Sequence, residues 1–147
     1  MSPVTFTNTI TINRALDEVF AYLAAFENLP RWNYAIAETH KITDGPVGIG
    51  TRYRQLRTVP NRGEEYFEVI AFEPERRLAI HGDIGSLSGE IAYLLEDAPE
   101  TTVLTNTCFL HARGAAGVLA PLLTRQVRSA VAANLDVLRQ ILEPGEA

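Results

Sequence analysis

The sequence predicts an α+β fold in which a seven-stranded antiparallel sheet wraps around one long C-terminal helix, with two short helices after the first strand. Three observations predict it. Apolar residues at Leu119, Leu123, Val127, Val131, Leu135, Leu138 and Leu142 recur every three or four positions, which is one face of a helix running from about Ala115 to Leu142. Seven stretches rich in β-branched and aromatic residues precede it, bounded by Gly, Pro, Asn and Asp. The turns between the last six are short, so neighbouring strands run antiparallel as a meander. A helix of about 25 residues is roughly 38 Å long, and only the strands offer a partner for its apolar stripe.

Thr5 to Ile12 reads as the first strand, with Phe6, Ile10 and Ile12 on one face and four threonines on the other. Asn13 suits the N-cap of a helix reaching about Ala25, with Asp17 and Glu18 in its early turns and Leu16, Val19, Phe20 and Leu23 as its stripe. Asn28 suits the cap of a second short helix, with Pro30 in the first turn. Trp32 marks where this helical hairpin meets the sheet. Six strands follow: Ile36 to Thr43, Thr51 to Val59, Glu64 to Phe72, Arg77 to Ile84, Leu87 to Glu96 and Thr101 to His111. Gly114 to Gly117 lets the chain swing into the long helix, Pro121 belongs in its first turn, and Pro144-Gly145 stops it. An alternating sheet needs one covered face. A sheet of this width exceeds what one helix fills, so the leftover space is a pocket.

A chain of 147 residues, 46% hydrophobic, is expected to form one domain, 1–147, with a sizeable core. The net charge of -5 opposes nucleic-acid binding. The single cysteine, Cys108, excludes an internal disulfide and any cysteine-based metal cluster. His40, His81 and His111 show no metal-ligand spacing. There is no Ser-His-Asp order, nucleophile elbow, P-loop or dinucleotide fingerprint, so no metal and no cofactor is expected. With no signal peptide and a long helix too charged to span a bilayer, the expectation is a cytoplasmic protein without stable membrane insertion.

Phe26 through Trp32 after the first helix, Pro46-Val47-Gly48-Ile49-Gly50-Thr51 before the third strand, Val69 through Leu78, and the long apolar C-terminal helix together resemble the START-like, or Bet v 1-like, helix-grip superfamily (SRPBCC). Within it the chain is most similar to the bacterial polyketide cyclase/dehydrase group. The resemblance spans nearly the whole chain. It implies a deep cavity for an apolar or aromatic ligand, such as a lipid- or polyketide-like molecule, but no particular reaction, because the group includes cyclases, lipid carriers and hormone receptors. The glycine-turn pattern shared with similar proteins implies that Tyr53 points inward, which would bring Gln55 and Arg57 into the pocket. The bland alternative leaves Arg57 snorkelling at the rim.

The remaining candidates rest on strand faces. Glu64 and Glu68 share a face with Tyr66, whereas Glu65 lies with Phe67 and Val69; pairing with arginines of the preceding strand is the simplest role for these acids. His81 could move protons if inward, but it faces out if Leu78 and Ile80 are the inward pair. Tyr93 shares a face with Ile91 and Leu95, and is either a pocket hydroxyl or plain core. Asn106 shares a face with Leu104, Cys108 and Leu110; if that face is inward, Asn106 is a buried amide needing partners, which would suit ligand recognition. Cys108 reads as a small core residue. The candidate ligand-binding set is Trp32, Tyr53, Gln55, Arg57, Phe67, Tyr93, Asn106, Val127 and Val131, and any catalysis would fall to Arg57, His81 or Tyr93. Two functions remain open: a carrier or sensor of a small hydrophobic molecule, or a polyketide cyclase/dehydratase acting on a poly-ketone intermediate.

Overall fold

The computed structural model describes residues 3–112 and 120–143. The expected Gly114–Gly117 swing, Leu119 and the Pro144-Gly145 stop lie outside them. The elements are β1 (Val4–Ile12), α1 (Leu16–Ala24), a 3-10 turn (Phe26–Asn28), α2 (Leu29–Trp32), β2 (Ile36–Lys41), β3 (Arg52–Arg57), β4 (Gly63–Glu73), β5 (Arg77–Ile84), β6 (Leu87–Ala98), β7 (Thr101–Ala112) and α3 (Ala120–Leu142). The sheet order is β1-β7-β6-β5-β4-β3-β2, antiparallel throughout. The first strand therefore pairs with the last, and the helical hairpin carries the chain from one edge of the sheet to the other.

Neither expected asparagine cap forms. α1 starts at Leu16, and Ala15 precedes it without a side-chain cap. The cap position falls at Ala15, two residues after Asn13, and this segment makes tertiary contacts: the Asn13 main-chain N–H donates to Glu143 Oε2 at 3.1 Å, and Arg14 Nη1 donates to the Leu142 carbonyl at 2.8 Å. The start of α1 thus satisfies the far end of α3, where unpaired carbonyls favour a cation. Asn28 precedes α2 but its amide donates to the Tyr22 carbonyl at 3.2 Å.

Two devices shape the sheet. Between β4 and β5 the register slips, with Val69 opposite Ile80 but Ala71 opposite Ala79. The extra residue, Ile70, makes a bulge, which bends a strand and increases its twist. Farther along, Gly82 faces Gly89 across β5 and β6. A Cβ on Gly82 would lie 2.5 Å from the Phe67 Cβ, and one on Gly89 would lie 2.2 Å from the Phe109 carbonyl oxygen. Such close backbone approach is what glycine permits in a tightly curved sheet.

The core lies between the inner sheet face and the helices. Ile12, Val19, Leu23, Tyr53, Phe67, Val69, Leu78, Leu95, Leu104, Leu135 and Leu138 are buried there. Phe26 packs edge-on to Phe67 at 5.3 Å, and Tyr53 stacks on Phe67 at 5.0 Å. The stripe of α3 divides into two parts: Leu135, Leu138 and Leu142 are buried, but Leu123, Val127 and Val131 only partly so. The C-terminal half of the helix is core, while the N-terminal half roofs a space.

Candidate functional site

That space is a cavity bounded by α2, α3 and strands β3 to β7. It offers about 80 Å³ to the centre of a water-sized sphere, room for several waters at roughly 10–15 Å³ each. Trp32 closes one end, Phe67, Ile80 and Ile91 form the apolar floor, and Val127 and Val131 form the roof. Gln55, Arg57, Asp83, Tyr93, Asn106 and Asn134 supply its polar groups. A wider cleft of about 320 Å³ by the same measure shares Asn33, Arg57, Ile84, Val127, Val131 and Asn134 with the cavity, and adds Val59, Pro60, Gly85, Ser86 and Leu123. It forms a vestibule between the β3–β4 turn, the β5–β6 turn and α3.

Period-two alternation along β3 places Tyr53, Gln55 and Arg57 inward and Arg52 and Arg54 outward. On β4 the same alternation turns Glu65 inward beside them. Arg57 Nε donates to Glu65 Oε2 at 2.7 Å, Gln55 Nε2 donates to Glu65 Oε1 at 2.9 Å, and the Gly85 N–H donates to Glu65 Oε2 at 2.6 Å. Arg57 Nη1 also reaches the Val59 carbonyl at 3.5 Å. One buried carboxylate thereby ties β3, β4 and the β5–β6 turn together at the vestibule. A charge this deep is tolerable because it is paired and hydrogen-bonded.

On the opposite wall, Asn106 is fully buried; its amide donates to the Ala92 carbonyl at 3.4 Å, and the Cys108 thiol leans on its oxygen at 3.6 Å. Burial pushes the Cys108 thiol up to about 12, partly offset by that contact with Asn106. Burial also raises the Tyr93 phenol, and Cys108 beside it raises it further. Both groups are therefore held protonated at neutral pH. Asn134 on α3 is buried, and its Oδ1 accepts the Tyr34 N–H at 3.4 Å.

Of the residues singled out from sequence, Trp32, Gln55, Arg57, Phe67, Tyr93, Asn106, Val127 and Val131 meet on this cavity. Two do not. Tyr53 is inward and fully buried, but it is sandwiched against Phe26 and Phe67 beside the cavity, with its phenol pushed up to about 12 by burial and by the Glu27 charge. His81 is exposed on the outer face between Glu68 and Glu90 of the neighbouring strands, because Leu78 and Ile80 take the inner positions. Asn134 was missed, although it stands three residues after Val131 and four before Leu138, on the apolar face of α3. Gly82 was also missed; a glycine inside an alternating strand was its signal. Among the described residues no group of three or more His, Cys, Asp or Glu is arranged to hold a metal ion, and no helix is long and apolar enough to cross a membrane.

A family model described as "Polyketide cyclase / dehydrase and lipid transport" matches residues 3–143. No curated protein matches the chain. Similar solved structures include a START superfamily protein from Mycobacterium smegmatis, 12% identical with a TM-score of 0.77, covering 96% of this chain and 97% of that one. Ara h 8.0201 is 16% identical with a TM-score of 0.73, covering 96% and 98%. The di-domain ARO/CYC StfQ from the steffimycin biosynthetic pathway is 15% identical with a TM-score of 0.76; the match covers 95% of this chain but only 50% of the di-domain protein. At these identities the likeness is one of fold.

Proposed function

Because this chain belongs to the polyketide cyclase/dehydrase and lipid transport family, we propose that it binds a small hydrophobic or aromatic molecule between the sheet and the C-terminal helix. The observation that carries the reading is the cavity itself. Its floor and roof are apolar, a few polar groups converge on it, and a vestibule opens beside it; this is the usual make-up of a small-molecule site. The described volume suits a ligand of one or two rings, with any larger part lying in the vestibule.

A cyclase or dehydratase acting on a poly-ketone is the second reading, favoured by the presence of Arg57 and Tyr93 on the same cavity. An arginine can stabilise an enolate where water is excluded. Here, however, Arg57 is already committed to Glu65, burial holds the Tyr93 phenol protonated, and His81 lies outside. Binding without turnover is therefore the better-supported reading. Native mass spectrometry of the purified protein tests it. A co-purified apolar molecule released on unfolding is expected; a protein that is mass-clean and takes up no added apolar compound would refute it.

A further inference from the structure

Gln55 carries an acceptor that the protein leaves unused. The residue is 7% exposed and lines the cavity. Its Nε2 donates to Glu65 Oε1 at 2.9 Å. A carboxylate only accepts, so the amide orientation is fixed by chemistry: nitrogen toward Glu65, oxygen away from it. That oxygen, Oε1, is buried and has no hydrogen-bond partner. Buried acceptors in this state are uncommon and unfavourable.

The charges nearby narrow what could satisfy it. Glu65 is neutralised by Arg57, whose Nε is spent on it. Asp83 adds a second acid to the cavity wall. A ligand carboxylate would approach two acids and an arginine already engaged, and it would bring no proton for Gln55 to receive.

We propose that the cavity selects a neutral apolar ligand bearing a hydrogen-bond donor, a hydroxyl or N–H, which Gln55 Oε1 receives, and that it discriminates against carboxylates. This deepens the ligand-binding reading above and rests on it. Tyr93 offers a protonated phenol on the same cavity, a donor for an oxygen on such a ligand.

The test is calorimetric titration of the full chain with three matched probes: 2-naphthol, 2-methoxynaphthalene and 2-naphthoate. The expected result is that 2-naphthol binds about tenfold more tightly than the methyl ether, the scale of one net hydrogen bond, and that 2-naphthoate binds more weakly than 2-naphthol. In Gln55→Leu the preference for naphthol over its ether should fall to near one. Gln55→Lys keeps a donor for Glu65, offers no acceptor and should lose the same preference, so a failure of the leucine variant to fold does not end the test. An ether that binds wild type as tightly as the naphthol overturns this proposal and leaves ligand binding standing. A naphthoate that binds most tightly overturns it equally. No binding by any of the three overturns both.

Discussion

The two halves of α3 should respond differently to truncation. Leu135 is fully buried against the sheet, whereas Val127 is partly buried and borders the cavity. Leu135→Ala removes a packed side chain and leaves a void, which costs about 2–5 kcal/mol. For a chain of this size each kcal/mol lowers the melting temperature by about 2–4 °C, so a drop centring near 10 °C is expected. Val127→Ala removes two methyl groups from a side chain that is only partly buried and borders the cavity. At about 0.8 kcal/mol per fully buried methylene, half-burial brings its cost to about 1 kcal/mol, or about 2–4 °C. Thermal melts followed by far-UV circular dichroism give both values. If Val127→Ala melts as low as Leu135→Ala, the N-terminal half of the helix is packed core and the roofed space does not exist. If Leu135→Ala melts with wild type, the helix is not gripped by the sheet.

Three further outcomes follow from the buried groups. Glu65→Leu leaves the buried Arg57 guanidinium without its carboxylate and removes the Glu65 contact to the Gly85 N–H; a loss of about 3–5 kcal/mol is expected in urea denaturation, and Arg57→Met added to Glu65→Leu should recover most of it. A double variant no better than Glu65→Leu would show that the charge pair is not what matters there. In the folded protein Cys108 rises from 9.0 to about 12 and Tyr53 from 10.0 to about 12. The folded state therefore keeps protons that the unfolded chain releases, and the contribution of these groups is complete below pH 9 and declines between about pH 9 and 12. Urea midpoints should fall across that window, and a rise there would contradict the burial of these groups. Cys108 should also stay inert to a disulfide reagent at pH 8 until the protein is unfolded.

The fold was legible because its signals are periodic. Alternation along β6 and β7 grouped Tyr93 with Ile91 and Leu95, and Asn106 with Leu104, Cys108 and Leu110, faces that the structure turns inward, and the stripe of α3 identified the partner of the sheet. Strand period alone left β3 with two possible faces. The glycine turn before it, read through family resemblance, favoured the one that holds Gln55 and Arg57. The bulge at Ile70 was not legible, and Gly82 showed only as a glycine inside an alternating strand; how closely Gly82 approaches Phe67, and Gly89 approaches Phe109, depends on how neighbouring strands meet. Asn13 misled because α1 begins at Leu16, which puts the cap position at Ala15 rather than at the asparagine. Periodicity also could not tell that Val127 and Val131 are only partly buried and line the cavity, while Leu135 and Leu138 are fully buried in the core. It fixes the direction in which a residue points, not what fills the space there.

Trp32, the only tryptophan, borders the cavity between the sheet and α3 in which the ligand is proposed to bind. Titration with the neutral dye N-phenyl-1-naphthylamine, read by Trp32 fluorescence, tests that proposal directly. Saturable quenching at one dye per chain is predicted, abolished in a Val131→Trp variant, whose new indole fills the cavity, when the dye's own emission is followed instead. Linear, non-saturating quenching in wild type, or saturable binding undiminished by Val131→Trp, would contradict it.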